Sequence, residues 1–176
     1  MASETSTSLL GLIDRADERG LAAAGLACLD RCLPVFAPDR ADVLRPVWAA
    51  VARGDGGAWA EAVGKARVEL GVDGVDGARD DEATALVRAM LAGAPVEWAV
   101  EPLRAWAREC SGAALAVHEG YDATDAGPLF AGELRRQQAV LESAAHGPTG
   151  LRRARDLSTE GGRVLRAVVS RRARTA

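Results

Sequence analysis

Aromatic residues and lysine are scarce in this sequence. Aromatics make up only 4% of the 176 residues, and Lys65 is the sole lysine. Runs of β-branched and aromatic residues, which favour strands, are correspondingly few. Because apolar residues still account for 48% of the chain, the core must consist mainly of Leu, Val and Ala, a mixture that favours closely packed helices. The sequence therefore predicts an all-α fold, a bundle of about seven to eight helices.

Signals for export or membrane insertion are also missing. Residues 1 to 5 contain no basic segment ahead of an apolar stretch, as a secretory signal would. No apolar run approaches the length of a transmembrane helix. The three cysteines form no regular disulfide framework, which suits a reducing compartment. We therefore expect a cytoplasmic protein that does not engage a membrane.

Common catalytic and cofactor-binding motifs are absent as well. There is no Gly-rich phosphate loop, no dinucleotide fingerprint and no Gly-x-Ser-x-Gly elbow, and the chain has only two histidines. Cys28, Cys32, Cys110 and His118 are conceivable metal ligands, but cysteines among Ala and Leu on a buried helix usually act as small apolar residues. We predict no catalytic residue, no cofactor and no metal site, so enzyme activity has little support from the sequence.

Apolar residues recur at helical spacing through most of the chain. The clearest stripe, at positions i, i+3, i+4 and i+7, consists of Leu44, Val47, Trp48 and Val51. The apolar and small residues between positions 21 and 33 are interrupted only by Asp30 and Arg31, which predicts a helix that is buried on most sides.

Glycine and proline mark the expected helix boundaries. We predict that Gly20 ends the first helix and that Pro34 and Pro38 end the second. Pro102 should kink a long helix or mark a boundary near its start. The pair Gly161-Gly162 would cost on the order of 2 kcal/mol inside a helix, so we expect a break or a frayed end there.

A possible internal repeat has an offset of 39 residues. Gly54 is followed by Trp59 at the same distance at which Gly93 is followed by Trp98. The offset matches the length of a HEAT-type helical hairpin, which would make the bundle a stack of hairpins. Only two copies are visible, and helical hairpins commonly reuse a terminal glycine, so a simple bundle remains the alternative.

Arginine is concentrated near the C-terminus. Residues 150 to 176 hold eight arginines against Asp156 and Glu160, a net charge of +6, while the rest of the chain carries −9. We therefore divide the chain into an all-helical domain at 1–150 and an Arg-rich helix or tail at 151–176 that packs on this domain or extends from it. The candidate partner-binding residues are Arg152, Arg153, Arg155, Arg163, Arg166, Arg171 and Arg172.

The basic C-terminal segment could bind an acidic protein, bind phosphates, or fold back on the acidic body of the protein itself. Nucleic-acid-binding segments usually interleave aromatic residues with the basic ones. The C-terminal segment has no aromatic residue. We therefore favour a protein partner or self-association over nucleic acid.

The four tryptophans lie on core-facing positions of the expected helices. Large aromatics at helical spacing usually belong to the core, but they also line ligand pockets between helices. The candidate pocket residues are Trp48, Trp59, Trp98 and Trp106.

Segment 22–55 carries a resemblance to a known group of proteins. It combines Cys32-Leu33-Pro34-Val35-Phe36, the charged Asp39-Arg40-Ala41-Asp42, Arg45-Pro46 and Ala52-Arg53-Gly54-Asp55. In these features it resembles small all-helical immunity proteins of actinobacteria, and it departs from them at the position of the Trp and in most of the sequence after Leu70. The resemblance implies a non-enzymatic protein that binds and neutralises a partner, and it transfers no catalytic residue.

These features are compatible with three interpretations. The leading one is a non-enzymatic protein-interaction module, of immunity or inhibitor type. One alternative is a nucleic-acid-associated regulator that acts through the Arg-rich C-terminus. Another is a small-molecule-binding or auxiliary biosynthetic protein with a Trp-lined pocket.

Overall fold

The computed structural model describes residues 2–74 and 80–176. Within these ranges it contains eight helices and no strand. They are α1 (Ala2–Arg15), α2 (Glu18–Phe36), α3 (Arg45–Arg53), α4 (Gly56–Glu69), α5 (Glu82–Ala92), α6 (Val100–Gly120), α7 (Pro128–Ala144) and α8 (Gly147–Thr175). None of these helices is both long enough and apolar enough to cross a membrane. The prediction of an all-α bundle is confirmed.

Helix α2 lies at the centre of the bundle. It packs against α3, α5, α6, α7 and α8. Residues 20–29 of α2 are small or apolar and all buried, and Leu21, Ala22 and Leu26 have no exposed surface. Small residues let neighbouring helices come close, and a Cβ at Gly25 would lie only 2.5 Å from the ring of Trp106 on α6. The composition of α2 thus allows it to serve as a common packing surface.

The boundary between α1 and α2 differs from the prediction. Helix α1 ends at Arg15, and Gly20 lies in the first turn of α2. Asp17 caps α2, because its carboxylate accepts a hydrogen bond of 2.8 Å from the backbone N–H of Gly20. The prediction that Gly20 ends the first helix is therefore wrong, since the Asp cap starts a new helix before the glycine is reached.

The prolines lie near helix ends. Helix α2 continues to Phe36, two residues beyond Pro34, and ends before Pro38. The prediction that Pro34 ends the second helix is therefore wrong. Because Pro34 has no N–H, the helix lacks one hydrogen bond there, and it ends two residues later. Pro102 lies in the first turn of α6, which begins at Val100. The expected boundary near Pro102 is thus present.

Helix α8 runs unbroken for 29 residues. The break expected at Gly161-Gly162 does not occur, because Gly161 is a packing position. It is buried, and a Cβ there would lie 2.5 Å from Cδ of Arg31 on α2. The glycine lets α8 lie directly against α2, and this packing stabilises the helix despite its low intrinsic propensity. The division drawn at residue 150 falls inside α8.

The offset of 39 residues aligns α3 with α5 but does not extend to the helices that come next. Trp59 lies inside α4, whereas Trp98 precedes α6. Gly54 ends α3 with φ at 62°, whereas Gly93 ends α5 with φ at −80°. Helices distant in sequence, such as α2 and α8, also pack together, whereas solenoid repeats contact mainly their neighbours. The helices are therefore arranged as a bundle around α2.

Candidate functional site

The arginines of α8 lie outside its buried side. All seven candidate arginines of the C-terminal segment are exposed. The buried side of the helix is formed by Gly150, Leu151, Ala154, Ser158, Gly161 and Leu165. Arginines at positions i, i+3, i+11 and i+14 return to nearly the same side of an α-helix. We call this set the arginine stripe; its members are Arg152, Arg155, Arg163 and Arg166.

The remaining candidate arginines of α8 have other surroundings. Arg153 and Arg171 share a side of the helix that is rotated about 100° from Arg152. Arg172 has partners within the protein. Its Nη1 donates a hydrogen bond of 3.1 Å to the carbonyl of Gly120, and its guanidinium lies 5.0 Å from the ring centroid of Tyr121. Arg172 therefore helps to hold the end of α8 against α6.

The arginine stripe has no ion pair with the part of the chain that the structure describes. Elsewhere among residues 2–74 and 80–176, five arginines pair with carboxylates: Arg31, Arg40, Arg88, Arg104 and Arg108. The stripe thus presents its guanidinium groups to solvent, whereas these five arginines are held by intramolecular ion pairs.

A groove of about 360 Å³ runs between α2, α3 and α8 beside the stripe. We call it the arginine groove, because Arg155, Arg163 and Arg166 line it from α8 and Arg45 lines it from α3. Apolar and small residues of α2, α3 and α8 form much of the rest of its wall: Leu33, Pro34, Leu44, Trp48 and Gly162. The groove is therefore lined by guanidinium groups together with both apolar and polar residues, the polar ones including Ser158 and Thr159.

A second cavity, of about 280 Å³, adjoins the arginine groove. We call it the apolar slot; its apolar lining consists of Trp48, Ala49, Val51, Ala52, Pro148 and Leu151. Arg152 and Arg155 border it. Because Trp48 and Arg155 line both cavities, the slot and the groove lie side by side. We call the two cavities together the seam between α3 and α8.

Asp30 is the acidic residue in the wall of the arginine groove. Its carboxylate accepts a hydrogen bond of 3.0 Å from Nε1 of Trp48, which fixes the indole between the two cavities. Burial raises the pKa of the Asp30 carboxyl, while this hydrogen bond and the charges of Arg31 and Arg155 oppose the rise. The Asp30 carboxylate is thus already hydrogen-bonded to Trp48 within the lining of the groove.

Three of the four candidate tryptophans form one aromatic cluster. The Trp59 ring lies edge to face with the rings of Trp98 and Trp106, at centroid distances of 5.7 Å in both cases. Nε1 of Trp59 donates to the carbonyl of Pro95 at 2.7 Å, and Nε1 of Trp106 donates to that of Met90 at 2.8 Å. These three rings pack together, whereas Trp48 borders the seam.

A buried ion pair crosses the interior between α2 and α7. Arg31 and Glu133 are both 0% exposed. Nε of Arg31 donates to Oε2 of Glu133 and Nη2 donates to Oε1, each at 2.7 Å. Burial opposes both charges, yet each partner's charge favours ionisation of the other, so the pKa of Arg31 is raised and that of Glu133 is lowered. The pair is therefore ionised in the folded protein.

Polar side chains from α6 and α7 complete this buried network. Nε2 of Gln137 donates to Oε1 of Glu133 at 2.9 Å, and the Ser111 hydroxyl donates to Oε1 of Gln137 at 2.6 Å. Nδ1 of His118 donates to the carbonyl of Ala114 at 2.7 Å, which leaves Nε2 facing Glu133 at 3.5 Å. Burial lowers the pKa of His118. The network thus links α2, α6 and α7 inside the protein and holds no solvent-facing group.

The three cysteines are buried and not disulfide-bonded. Burial raises the pKa of each thiol, that of Cys28 to about 12. Thiols with raised pKa values remain protonated and bind metals poorly. Among residues 2–74 and 80–176, no group of three or more His, Cys, Asp or Glu side chains is placed to hold a metal ion.

Sequence reasoning identified the arginines of α8 and, on the opposite wall of the seam, Trp48, but not the rest of that wall. Arg45 and Asp30 were not candidates, because nothing in local periodicity indicates that α3 and α2 face α8. The buried pair had one visible signal: Arg31 is a charged residue inside an otherwise apolar run. Its partner Glu133 lies 102 residues away, so the pairing itself was not predictable.

Comparisons of the chain with protein-family models, with curated proteins and with solved structures find no match. What the protein does must therefore be inferred from its own residues.

Proposed function

We propose that this protein is a non-enzymatic helical protein that binds an acidic protein partner through the arginine stripe of α8. The observation that carries the proposal is a set of exposed guanidinium groups along one side of a helix, with no ion pair in the described chain. Like charges held close together repel one another, so such a set brings the isolated fold no evident benefit and suits binding.

The charge distribution supports an external partner. Residues 150 to 176 carry +6 and the rest of the chain carries −9. If α8 served only to neutralise the acidic body, its arginines would pair with acidic residues there. Instead α8 packs on α2 and α7 through its buried side and leaves the stripe exposed. Charge complementarity of this kind favours rapid and selective association with an acidic surface.

Two features favour a protein partner over nucleic acid. The C-terminal segment contains no aromatic residue on which bases stack. The adjoining apolar slot also suits an apolar side chain better than a phosphate backbone.

The specific form that we propose is an inhibitor or immunity-type protein acting in the cytoplasm. Segment 22–55, which carries the resemblance to immunity proteins, includes residues of α2 and α3 that line the arginine groove, among them Pro34 and Arg45. The free, buried cysteines suit a reducing compartment. The acidic partner is either a different protein or a second copy of this chain.

Matched charge reversals test the proposal. The full chain is immobilised and exposed to extract of the source organism, and retained proteins are identified by mass spectrometry at low and high salt. We expect an acidic protein to be retained by the wild type, to be released by high salt, and to be lost in the variant Arg155→Glu, Arg163→Glu, Arg166→Glu. The control variant Arg15→Glu, Lys65→Glu, Arg135→Glu makes the same charge change at exposed positions elsewhere and should retain it. Equal retention by both variants, or retention of nucleic acid in place of protein, contradicts the proposal.

A further inference from the structure

We infer that the arginine groove and the apolar slot form a single site for an acidic peptide segment, in which one large apolar side chain enters the slot and nearby carboxylates pair with the groove arginines. This inference rests on the proposed function and adds the chemistry of the segment that the partner presents. It is carried by the juxtaposition of the two cavities, whose common wall contains Trp48 and Arg155.

The groove favours an anionic occupant. Arg45, Arg155, Arg163 and Arg166 line it, against the carboxylate of Asp30. Asp30 already accepts the hydrogen bond from Trp48. The groove arginines have no ion pair within the described residues. Guanidinium groups bind carboxylates through two parallel hydrogen bonds, so a peptide with several Asp or Glu side chains matches this lining.

The slot favours an apolar anchor. Val51 and Ala52 of α3 face Pro148 and Leu151 of α8 across it. A buried aliphatic or aromatic side chain in such a pocket commonly dominates the affinity of a protein interface. The indole of Trp48 is only 5% exposed, which is too little surface for a nucleotide base to stack on. An apolar residue of a polypeptide is therefore the best match.

The length of the seam sets the spacing within the peptide. From Pro148 to Arg166, α8 advances about 27 Å, which an extended peptide spans in about eight residues. Arg155 lies about 6 Å along the axis from Leu151, and Arg166 lies about 22 Å from it. Carboxylates should therefore occur between about two and seven residues from the apolar anchor in an extended segment.

A displayed library of random dodecapeptides, selected against the immobilised full chain, tests this inference. We expect enriched peptides to carry one large apolar residue and at least two acidic residues within the predicted spacing. The affinity of one enriched peptide, fluorescein-labelled, is then measured by fluorescence anisotropy for the wild type and for matched variants. Circular dichroism and thermal unfolding of each variant confirm that it is folded.

The variants separate the seam from the rest of α8. The double change Arg155→Ala, Arg166→Ala should weaken binding by about tenfold or more, whereas Arg153→Ala, Arg171→Ala, on another side of the same helix, should change it by less than about twofold. Ala52→Gln places a polar side chain in the slot and should weaken binding by about fivefold. Its control Ala105→Gln, at an exposed position of α6, should leave binding unchanged.

Several results would overturn the inference. The first is failure to enrich acidic peptides over the starting library. The second is an equal loss of peptide affinity in the two double arginine variants. The third is a fluorescein-labelled DNA dodecamer that binds more tightly than the peptide and depends on Arg155 and Arg166. Sedimentation that shows a dimer dissociated by Arg155→Ala, Arg166→Ala would make a second copy the occupant instead. If the acidic protein captured from extract is lost in the stripe variant but is retained by Ala52→Gln, and no acidic peptide is enriched, this inference fails while the proposed function stands.

Discussion

Arg31 and the arginine stripe place the same type of side chain in opposite environments. Arg31 is fully buried and shares two hydrogen bonds with Glu133. Arg155 and Arg166 are exposed and have no ion pair in the described chain. Both environments adjoin α8, since Arg31 lies under Gly161 and the stripe lies on the outer surface of that helix.

This difference separates arginine used for the fold from arginine available for binding. A buried charge must be paired, because removing its partner leaves an ion in a medium that solvates it poorly. An exposed arginine is solvated by water, and its loss changes stability little. Substitutions in the two regions should therefore have opposite signatures: loss of stability at Arg31 and loss of binding at the stripe.

The largest effect is expected at the buried pair. Arg31→Met leaves Glu133 buried without its cationic partner, so the free energy of unfolding should fall by about 3–5 kcal/mol, measured by urea denaturation. The double variant Arg31→Met, Glu133→Leu replaces the pair with apolar side chains and should recover much of that loss. A double variant no more stable than Arg31→Met would show that the unpaired charge is not the cause.

The two adjacent glycines of α8 should respond with opposite sign. Gly161→Ala forces a Cβ to within 2.5 Å of Cδ of Arg31, so the free energy of unfolding should fall by about 1–3 kcal/mol. A Cβ at Gly162 meets its nearest atoms at 3.7 and 3.9 Å, so Gly162→Ala should be neutral or raise it by up to about 1 kcal/mol through better helix propensity. Thermal unfolding of the two glycine variants measures both changes in stability. Equal changes would contradict the close contact between α8 and Arg31.

Acidification should weaken the buried network through His118. Burial holds its pKa in the folded protein below the ordinary value of 6.5, with opposition from the charge of Glu133 and reinforcement from those of Arg31 and Arg136. The unfolded chain then binds more protons, so stability is full above about 6.5 and falls as the pH drops below it, by at most about 1.4 kcal/mol per pH unit from this group. Glu133, whose pKa is lowered from 4.5, adds its own loss only below that value.

Urea denaturation at pH 7.5 and pH 5.5 isolates the contribution of His118. The variant His118→Gln should lose less stability between these two values than the wild type does. An identical loss in both proteins would assign the pH dependence to other groups.

Local periodicity predicted the helices and much of the core. The stripe of Leu44, Val47, Trp48 and Val51 is buried on α3 as expected, because residues three and four apart share one side of a helix wherever that helix lies. The concentration of arginine on α8 was equally visible in the sequence. Both are properties of a single continuous segment.

Pairings between distant segments were not predictable in this way. The contact of Arg31 with Glu133 depends on how α2 and α7 are oriented, and the role of Gly161 depends on which helix lies opposite. The low helix propensity of Gly161 predicted a break. Its packing partner lies 130 residues earlier in the chain, so the contact that stabilises the helix there was not visible in the local sequence. The apolar slot was missed for the same reason, since its walls come from α3 and α8.

The smallest expected effect on stability tests the central claim most directly, namely that the arginine stripe serves binding and not the fold. The measurement is the free energy of unfolding, by urea denaturation, of the variant Arg152→Gln, Arg155→Gln, Arg163→Gln, Arg166→Gln. It should differ from the wild type by less than about 1 kcal/mol. A decrease of more than about 2 kcal/mol would show that these arginines hold the protein together, and would contradict the account.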